Sequence, residues 1–174
     1  MKQFQRSKSQ MLLLALSLVG IAITSYLTTV HYENVPLVCS GSGLINCARV
    51  ISSTYSVVPG TSLPITIPGF GWCVVSASLA ISGLFATTGL WQRRIGIAQF
   101  VWAMSGLLIV LYLVYVEIVR LHTICAWCTA LHALILLSFL VTLVQLQSRL
   151  SVSASGSVSE FEETENVSAL PRSK

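Results

Sequence analysis

Charge is what this chain has least of. Only 9% of its 174 residues are charged, against 54% hydrophobic, and the mean hydropathy is +0.79. A soluble domain carries about 25% charged residues. A water-facing surface cannot be assembled from so few, so the composition excludes an ordinary soluble enzyme and implies an integral membrane protein. The net charge of +4 supplies no continuous basic stripe interleaved with aromatics, which argues against nucleic acid as a partner. There is no nucleotide or flavin fingerprint, so any electron acceptor is expected to be diffusible. There is also no internal repeat and no second folded domain.

What the chain does have is long apolar runs, roughly 11–30, 70–90, 95–119 and 124–146. Each reaches the ~20 residues that a helix needs to cross ~30 Å of hydrocarbon. They are too long for barrel strands, and backbone groups in lipid must be satisfied internally, so helices follow. The expected fold is an all-α membrane protein: a four-transmembrane-helix bundle (11–147) whose outer loop (31–69) carries a short amphipathic half-helix. Within that loop Leu44, Cys47, Ala48 and Ile51 have helical spacing, and Pro59-Gly60, Pro64 and Pro68-Gly69 read as turns.

The cations give an orientation. If all four runs span, Lys2, Arg6, Lys8, Arg93, Arg94 and Arg149 fall on one side, and Arg49 and Arg120 on the other. The positive-inside rule then places both termini in the cytoplasm, with residues 1–10 as a short N-terminal segment. The outer loop and the link around Arg120–Thr123 face the outside or a lumen. The rival reading of the first run as a cleaved signal peptide is disfavoured, because the run is long for a signal core and the small-x-small exit at Ala22-Ile-Thr24 falls inside it. The tail 148–174 is rich in Ser and carries Glu160, Glu162, Glu163 and Glu165. It cannot bury a core and is expected to be disordered in the cytoplasm.

Both cysteine pairs land on the outer side. Cys125-Ala126-Trp127-Cys128 opens the fourth run. Cysteines three apart share a helix face and can close a disulfide. The first turn of a helix, with its free N–H groups and positive dipole end, favours a thiolate, the species that attacks and leaves in disulfide exchange. Two cysteines in an apolar helix can also be small hydrophobes and nothing more. The second pair, Cys39 and Cys47, lies in a compartment that permits disulfides. It is either a plain loop staple or, with Gly41-Ser42-Gly43 between its members, a mobile disulfide able to exchange with the first. Four cysteines could instead ligate zinc, but the loop spacing is not a usual knuckle, and no metal is expected. Cys73, just inside the second helix, is expected to be buried and unpaired.

A relay of this kind must end at an electron acceptor. A lipid-dissolved quinone can reach a C-x-x-C at the end of an apolar bundle. Tyr26, Trp72, Tyr112, Tyr115 and Trp127 are candidates to line its pocket, though Trp and Tyr also form interfacial belts. Ser52 and Ser53 follow Cys47 closely and could donate to a quinone oxygen or cap a turn. His122 and His132 could move protons, although solvated or packed histidine is the better reading. Glu117 and Arg120, three apart, read as a snorkelling pair rather than a proton relay.

The string Cys39…Asn46-Cys47-Ala-Arg-Val-Ile-Ser-Ser, then Gly71-Trp-Cys73, then Cys125-Ala-Trp-Cys128 resembles the vitamin K epoxide reductase family over roughly residues 10–147. The resemblance implies a four-helix bundle around a quinone of the ubiquinone, menaquinone, phylloquinone or plastoquinone type. It implies that Cys39 exchanges with a partner thiol, that Cys47 shuttles to Cys125, and that Cys128 delivers electrons to the quinone, with Ser53 near the substrate. Two positions depart from the animal branch: Pro68 stands where that branch has asparagine, and His132 where it has the tyrosine that helps grip vitamin K. The expectation therefore tilts from epoxide reduction toward the disulfide-forming bacterial and plant branches. It comprises a multi-pass protein, most simply of a bacterial plasma membrane, acting as a monomer on a separate thioredoxin-like thiol oxidase. A non-enzymatic scaffold with a structural loop disulfide is the alternative from another class.

Overall fold

In the computed structural model, residues 2–33, 39, 45–58, 60–86 and 89–168 are described. They form an all-α bundle built from α1 (Lys2–Glu33), a short α2 (Cys47–Ile51), α3 (Thr66–Phe85), α4 (Gly89–Tyr115) and α5 (Ala126–Ser168). The four long helices contain spans of 27, 20, 33 and 23 residues that are apolar and long enough to cross a membrane.

The buried positions explain why these helices associate. On α1 they are Gln10, Leu13, Ser17, Gly20, Thr24, Leu27 and Val30, steps of three or four that keep one narrow seam facing inward. The α3 seam is Cys73, Ala77, Ala80 and Gly83, all small, which lets backbones approach closely, as helices in lipid require. The outward faces are the apolar ones: Leu18, Val101, Leu108, Ile109 and Val144 are exposed while Gln10, Thr24, Gln99, Ser138 and Thr142 are buried. Such an inside-out distribution is unfavourable in water and natural in hydrocarbon. The buried hydroxyls of Ser17, Thr24, Ser138 and Thr142 donate to carbonyls one turn back on their own helices.

The helices close into a ring, α1 on α3, α3 on α4, α4 on α5 and α5 on α1. Polar contacts define its two ends. At one end Gln10, Gln99 and Gln145 join the starts of α1 and α4 to the far part of α5: Gln10 Nε2 donates to both other side chains, at 3.2 and 3.0 Å, and Gln99 Nε2 donates back at 2.8 Å and to the Leu79 carbonyl at 3.1 Å. Gly83 leaves room for Gln10, since a Cβ there would meet the amide. At the other end Thr28 of α1 donates to Thr66 of α3 at 2.8 Å, and Tyr26 of α1 packs on Trp127 of α5 with ring centroids 5.1 Å apart.

Several boundaries differ from expectation for local reasons. The helix α3 starts at Thr66, not 70: Pro68 falls in its first turn, where a missing N–H costs nothing, so Pro68-Gly69 is helix and not a turn. Gly60 does turn, at φ +81°, inside a small loop closed by Val58 N–H to the Leu63 carbonyl at 2.9 Å. The helix α5 continues to Ser168, past the end of its apolar span at Ser148. No proline stands between 126 and 170 to stop it. Pro59 and the Gly41-Ser42-Gly43 segment lie outside the described residues.

Candidate functional site

The site lies at the end opposite the glutamines and begins from two short pieces of backbone. Ile45 and Ile124 form a parallel bridge, and the Asn46 N–H donates to the Ile124 carbonyl at 3.2 Å. Cys47 follows Asn46 and Cys125 follows Ile124, and the two cysteines are 1% and 0% exposed. One loop cysteine and one cysteine of the C-x-x-C are thus delivered, buried, to the same place by main-chain pairing.

Each opens a helix. Asn46 caps α2, its Oδ1 accepting the Arg49 N–H at 3.1 Å, so Cys47 is the first helical residue. Cys125 precedes α5 and itself acts as the cap: its Sγ accepts the Cys128 N–H at 3.4 Å. The Cys128 thiol and the Trp127 N–H also donate to that sulfur. The thiol donation from Cys128 is the leading cause that holds Cys125 below the usual thiol range, against the opposing effects of burial and of the Glu117 charge.

The redox states are asymmetric. Cys39 and Cys47 are joined, with Cα atoms 6.2 Å apart, while Cys125 and Cys128 are free, Cys125 enclosed and Cys128 partly exposed. Cys73 is free and buried as expected. It sits against α1, where a Cβ on Gly20 would come within 2.7 Å of its sulfur.

The proposed pocket-lining residues divide. Trp127 stands between the two free cysteines and packs on Tyr26. His132, one turn further along α5, is buried. Ser53 is half-buried at the end of α2, and its hydroxyl donates to the Val50 carbonyl at 2.7 Å, which caps the turn and leaves its oxygen lone pairs free. Tyr112 and Tyr115 are 54% and 52% exposed and face away from the bundle interior. The three-residue step that puts them on one face of α4 puts that face toward lipid. Trp72 faces inward but elsewhere. It stacks on Trp102 at 6.4 Å and 11°, each indole donating to the other's carbonyl at 3.3 Å. Together they wall a cavity of about 20 Å³ among Ser17, Ser76, Gln99 and Ser138. That volume suits one water, not a ring, and none of the five cysteines lines it. Cys128 is the partly exposed sulfur of the C-x-x-C, and the aromatic pair Tyr26 and Trp127 lies at the same end.

Two residues matter more than the sequence reading gave them. Asn46 was only part of a motif, yet it supplies both the cap and the bridge; an Asn directly before a helical stretch is the signal that could have shown the cap. Glu117 is 7% exposed, and its carboxylate accepts the Cys125 N–H. Arg120 is exposed, and among the described residues the expected Glu117–Arg120 pair does not form. The cause is a π-helical turn, Val116–Leu121, whose extra residue rotates the two side chains off one face. His122 ends that turn in the left-handed region, at φ 49°.

Described residues contain no cluster of His, Cys, Asp or Glu that could hold a metal. No curated protein matches the chain. Residues 11–143 match the family model described as the vitamin K epoxide reductase family, which covers the four spanning helices, both cysteine pairs and α2. That family comprises helical membrane oxidoreductases acting on quinone-type substrates. The chain belongs to the vitamin K epoxide reductase family.

Proposed function

We propose that this protein is a quinone-coupled thiol-disulfide oxidoreductase that reoxidises a separate thioredoxin-like partner and so supports disulfide formation outside the cytoplasm. A reduced partner attacks the Cys39–Cys47 disulfide at Cys39. The Cys47 thiolate released attacks Cys125 of the oxidised C-x-x-C, and Cys128 leaves. The partner's second thiol attacks its own sulfur in the mixed disulfide, which leaves the partner oxidised and frees Cys39. Cys39 then attacks Cys47 of the Cys47–Cys125 bond, restoring the loop disulfide and leaving Cys125 and Cys128 reduced. Two electrons pass from that pair to a quinone, whose two oxygens take two protons.

The observation that carries this reading is the bridge between Ile45 and Ile124, which sets Cys47 beside Cys125. The combination of a closed Cys39–Cys47 bond with free Cys125 and Cys128 corresponds to the state just after exchange. Exposure supports the division of labour: enclosed Cys125 suits exchange with a neighbour, and partly exposed Cys128 suits a substrate arriving from lipid. Pro68 and His132, in place of two residues that grip vitamin K in the animal branch, weigh against epoxide reduction. The cation distribution supports both termini in the cytoplasm and the cysteines outside, because Lys8, Arg93 and Arg94 are exposed near the glutamine end.

The test is quinone reduction in membranes or nanodiscs with a reduced thioredoxin-like protein. Wild type is expected to form quinol, and Cys125→Ala and Cys128→Ala to form none. Quinol formation persisting in either variant overturns the relay. Turnover of vitamin K epoxide with a dithiol, without partner oxidation, assigns the animal-type activity instead.

A further inference from the structure

We propose that Glu117 is the proton-carrying residue of the Cys125–Cys128 couple, taking up a proton as the pair is reduced and giving it up as the pair is oxidised. The inference rests on the quinone-coupled reading above and adds to it where one of the two protons waits.

Glu117 is the only acidic residue between positions 34 and 159. It lies in the π-helical turn at the end of α4, which hands the chain to Cys125. It is buried, receives the Cys125 N–H, and among the described residues has no ion pair. A carboxylate enclosed in this way without a cation is costly. An enclosed acid that trades a proton with its neighbours is not, and an ionisable residue inside a membrane bundle marks function by default. The neighbours with which it trades are defined: the charge of Glu117 acts on both Cys125 and Cys128. The other titratable groups at this end do not compete. Arg49, Arg120, His122 and Tyr115 are exposed, and neither these nor Tyr26, His31 or His132 acts on the carboxyl.

The protons balance. In the reduced state two protons are shared by three groups: one is on the Cys128 thiol, which donates to the Cys125 thiolate, and one is on the Glu117 carboxyl. Oxidation moves two electrons from the sulfurs to the quinone and closes the S–S bond. The Cys128 proton and the Glu117 proton go to the two quinol oxygens, leaving a disulfide and a carboxylate. Exchange with the reduced loop pair returns two electrons and two protons, one to Cys128 and one to Glu117.

The experiment uses the full chain in nanodiscs, wild type against Glu117→Gln, which keeps an acceptor for the Cys125 N–H but cannot titrate. The first readout is alkylation of Cys125 against pH in the reduced chain. Coupled groups titrate in more than one step, so wild type is expected to show two ionisations. Glu117→Gln is expected to show one, at lower pH, because a negative neighbour is gone. The second readout is single-turnover oxidation by a soluble short-chain quinone. Loss of an acid-base group costs about 100-fold or more, so Glu117→Gln is expected to be slowed by about that factor and to lose one limb of its pH profile. Glu117→Asp is expected to recover part of the rate, and Arg120→Gln to match wild type.

Superimposable profiles for wild type and Glu117→Gln in both readouts overturn the proposal. If quinone oxidises neither chain while the alkylation profiles still differ, the quinone reading fails and the link from Glu117 to the sulfurs stands. If Glu117→Gln does not fold, Glu117→Asp carries the test: a lower rate with two ionisations retained supports the proposal, and a rate and profile equal to wild type overturn it.

Discussion

The N–H of Asn46 donates to the carbonyl of Ile124 at 3.2 Å, so the residues that follow each of them, Cys47 at the first position of α2 and Cys125 just before α5, are set side by side. The contact is main chain to main chain, and side-chain substitution alone does not remove it. What a substitution can remove is the cap that Asn46 places on α2. Asn46→Ala deletes the acceptor for the Arg49 N–H and is expected to cost about 1 kcal/mol of local stability. Exchange between the two cysteine pairs should slow, while Asn46→Asp keeps the cap and the rate. Stopped-flow quenching with an alkylating agent, resolved by mass spectrometry, measures both.

The Cys125 thiol is held below the usual thiol range first by the Cys128 thiol, with two backbone N–H groups adding to it against the opposing effect of burial. Cys125 in the reduced chain should therefore be alkylated at pH values below those at which an ordinary thiol reacts. Cys128→Ala removes the leading donor, so the half-reaction pH should rise. A fall, or no change, would show that the thiolate is not held by its neighbour.

Where the four helices cross, α3 and α4 are fixed by the Trp72–Trp102 pair, and Gly106 lies directly under the Trp72 ring. A Cβ there would come within 2.6 Å of the indole, and the contact is ring body, not a flexible tip. Gly106→Ala is expected to lose about 1–3 kcal/mol by overpacking, read as a lower unfolding temperature in detergent. The Cys39–Cys47 disulfide should be intact in the variant that does fold.

At the opposite end, Gln99→Leu leaves Gln10 with one partner in place of two and frees the Leu79 carbonyl. Unsatisfied buried polar groups cost about 1–3 kcal/mol, and somewhat less where the unfolded state in the membrane finds other partners. The doubly substituted chain, Gln10→Leu with Gln99→Leu, should be less destabilised than the sum of the two single substitutions. Thermal unfolding of all four chains forms the cycle that decides this.

How much of this was legible in the sequence follows from which forces leave a local trace. Apolar runs set by the thickness of hydrocarbon predicted the four helices, and the C-x-x-C and the loop pair singled out the cysteines of which two, Cys47 and Cys125, are buried next to a shared bridge. Where a helix starts was less legible: Pro68 reads as a break until it is seen in a first turn. Which face of a helix looks inward was legible on α3, from its small residues, but not on α4, where Tyr112 and Tyr115 share a spacing with buried positions and yet face out. The Glu117–Arg120 pair failed because a π-helical turn shifts the register by one residue, and three-residue spacing carries no sign of that. The Ile45–Ile124 bridge joins segments 79 residues apart and depends on folding of the whole chain.

The most direct test of the account is a trapped intermediate. The doubly substituted chain Cys39→Ala with Cys128→Ala keeps Cys47, Cys73 and Cys125, and mild oxidation in nanodiscs followed by non-reducing peptide mapping reports which two join. The account predicts a Cys47–Cys125 disulfide in high yield with Cys73 left as a thiol. Cys47 and Cys125 both remaining alkylatable, or Cys73 taking either one as its partner, would contradict it.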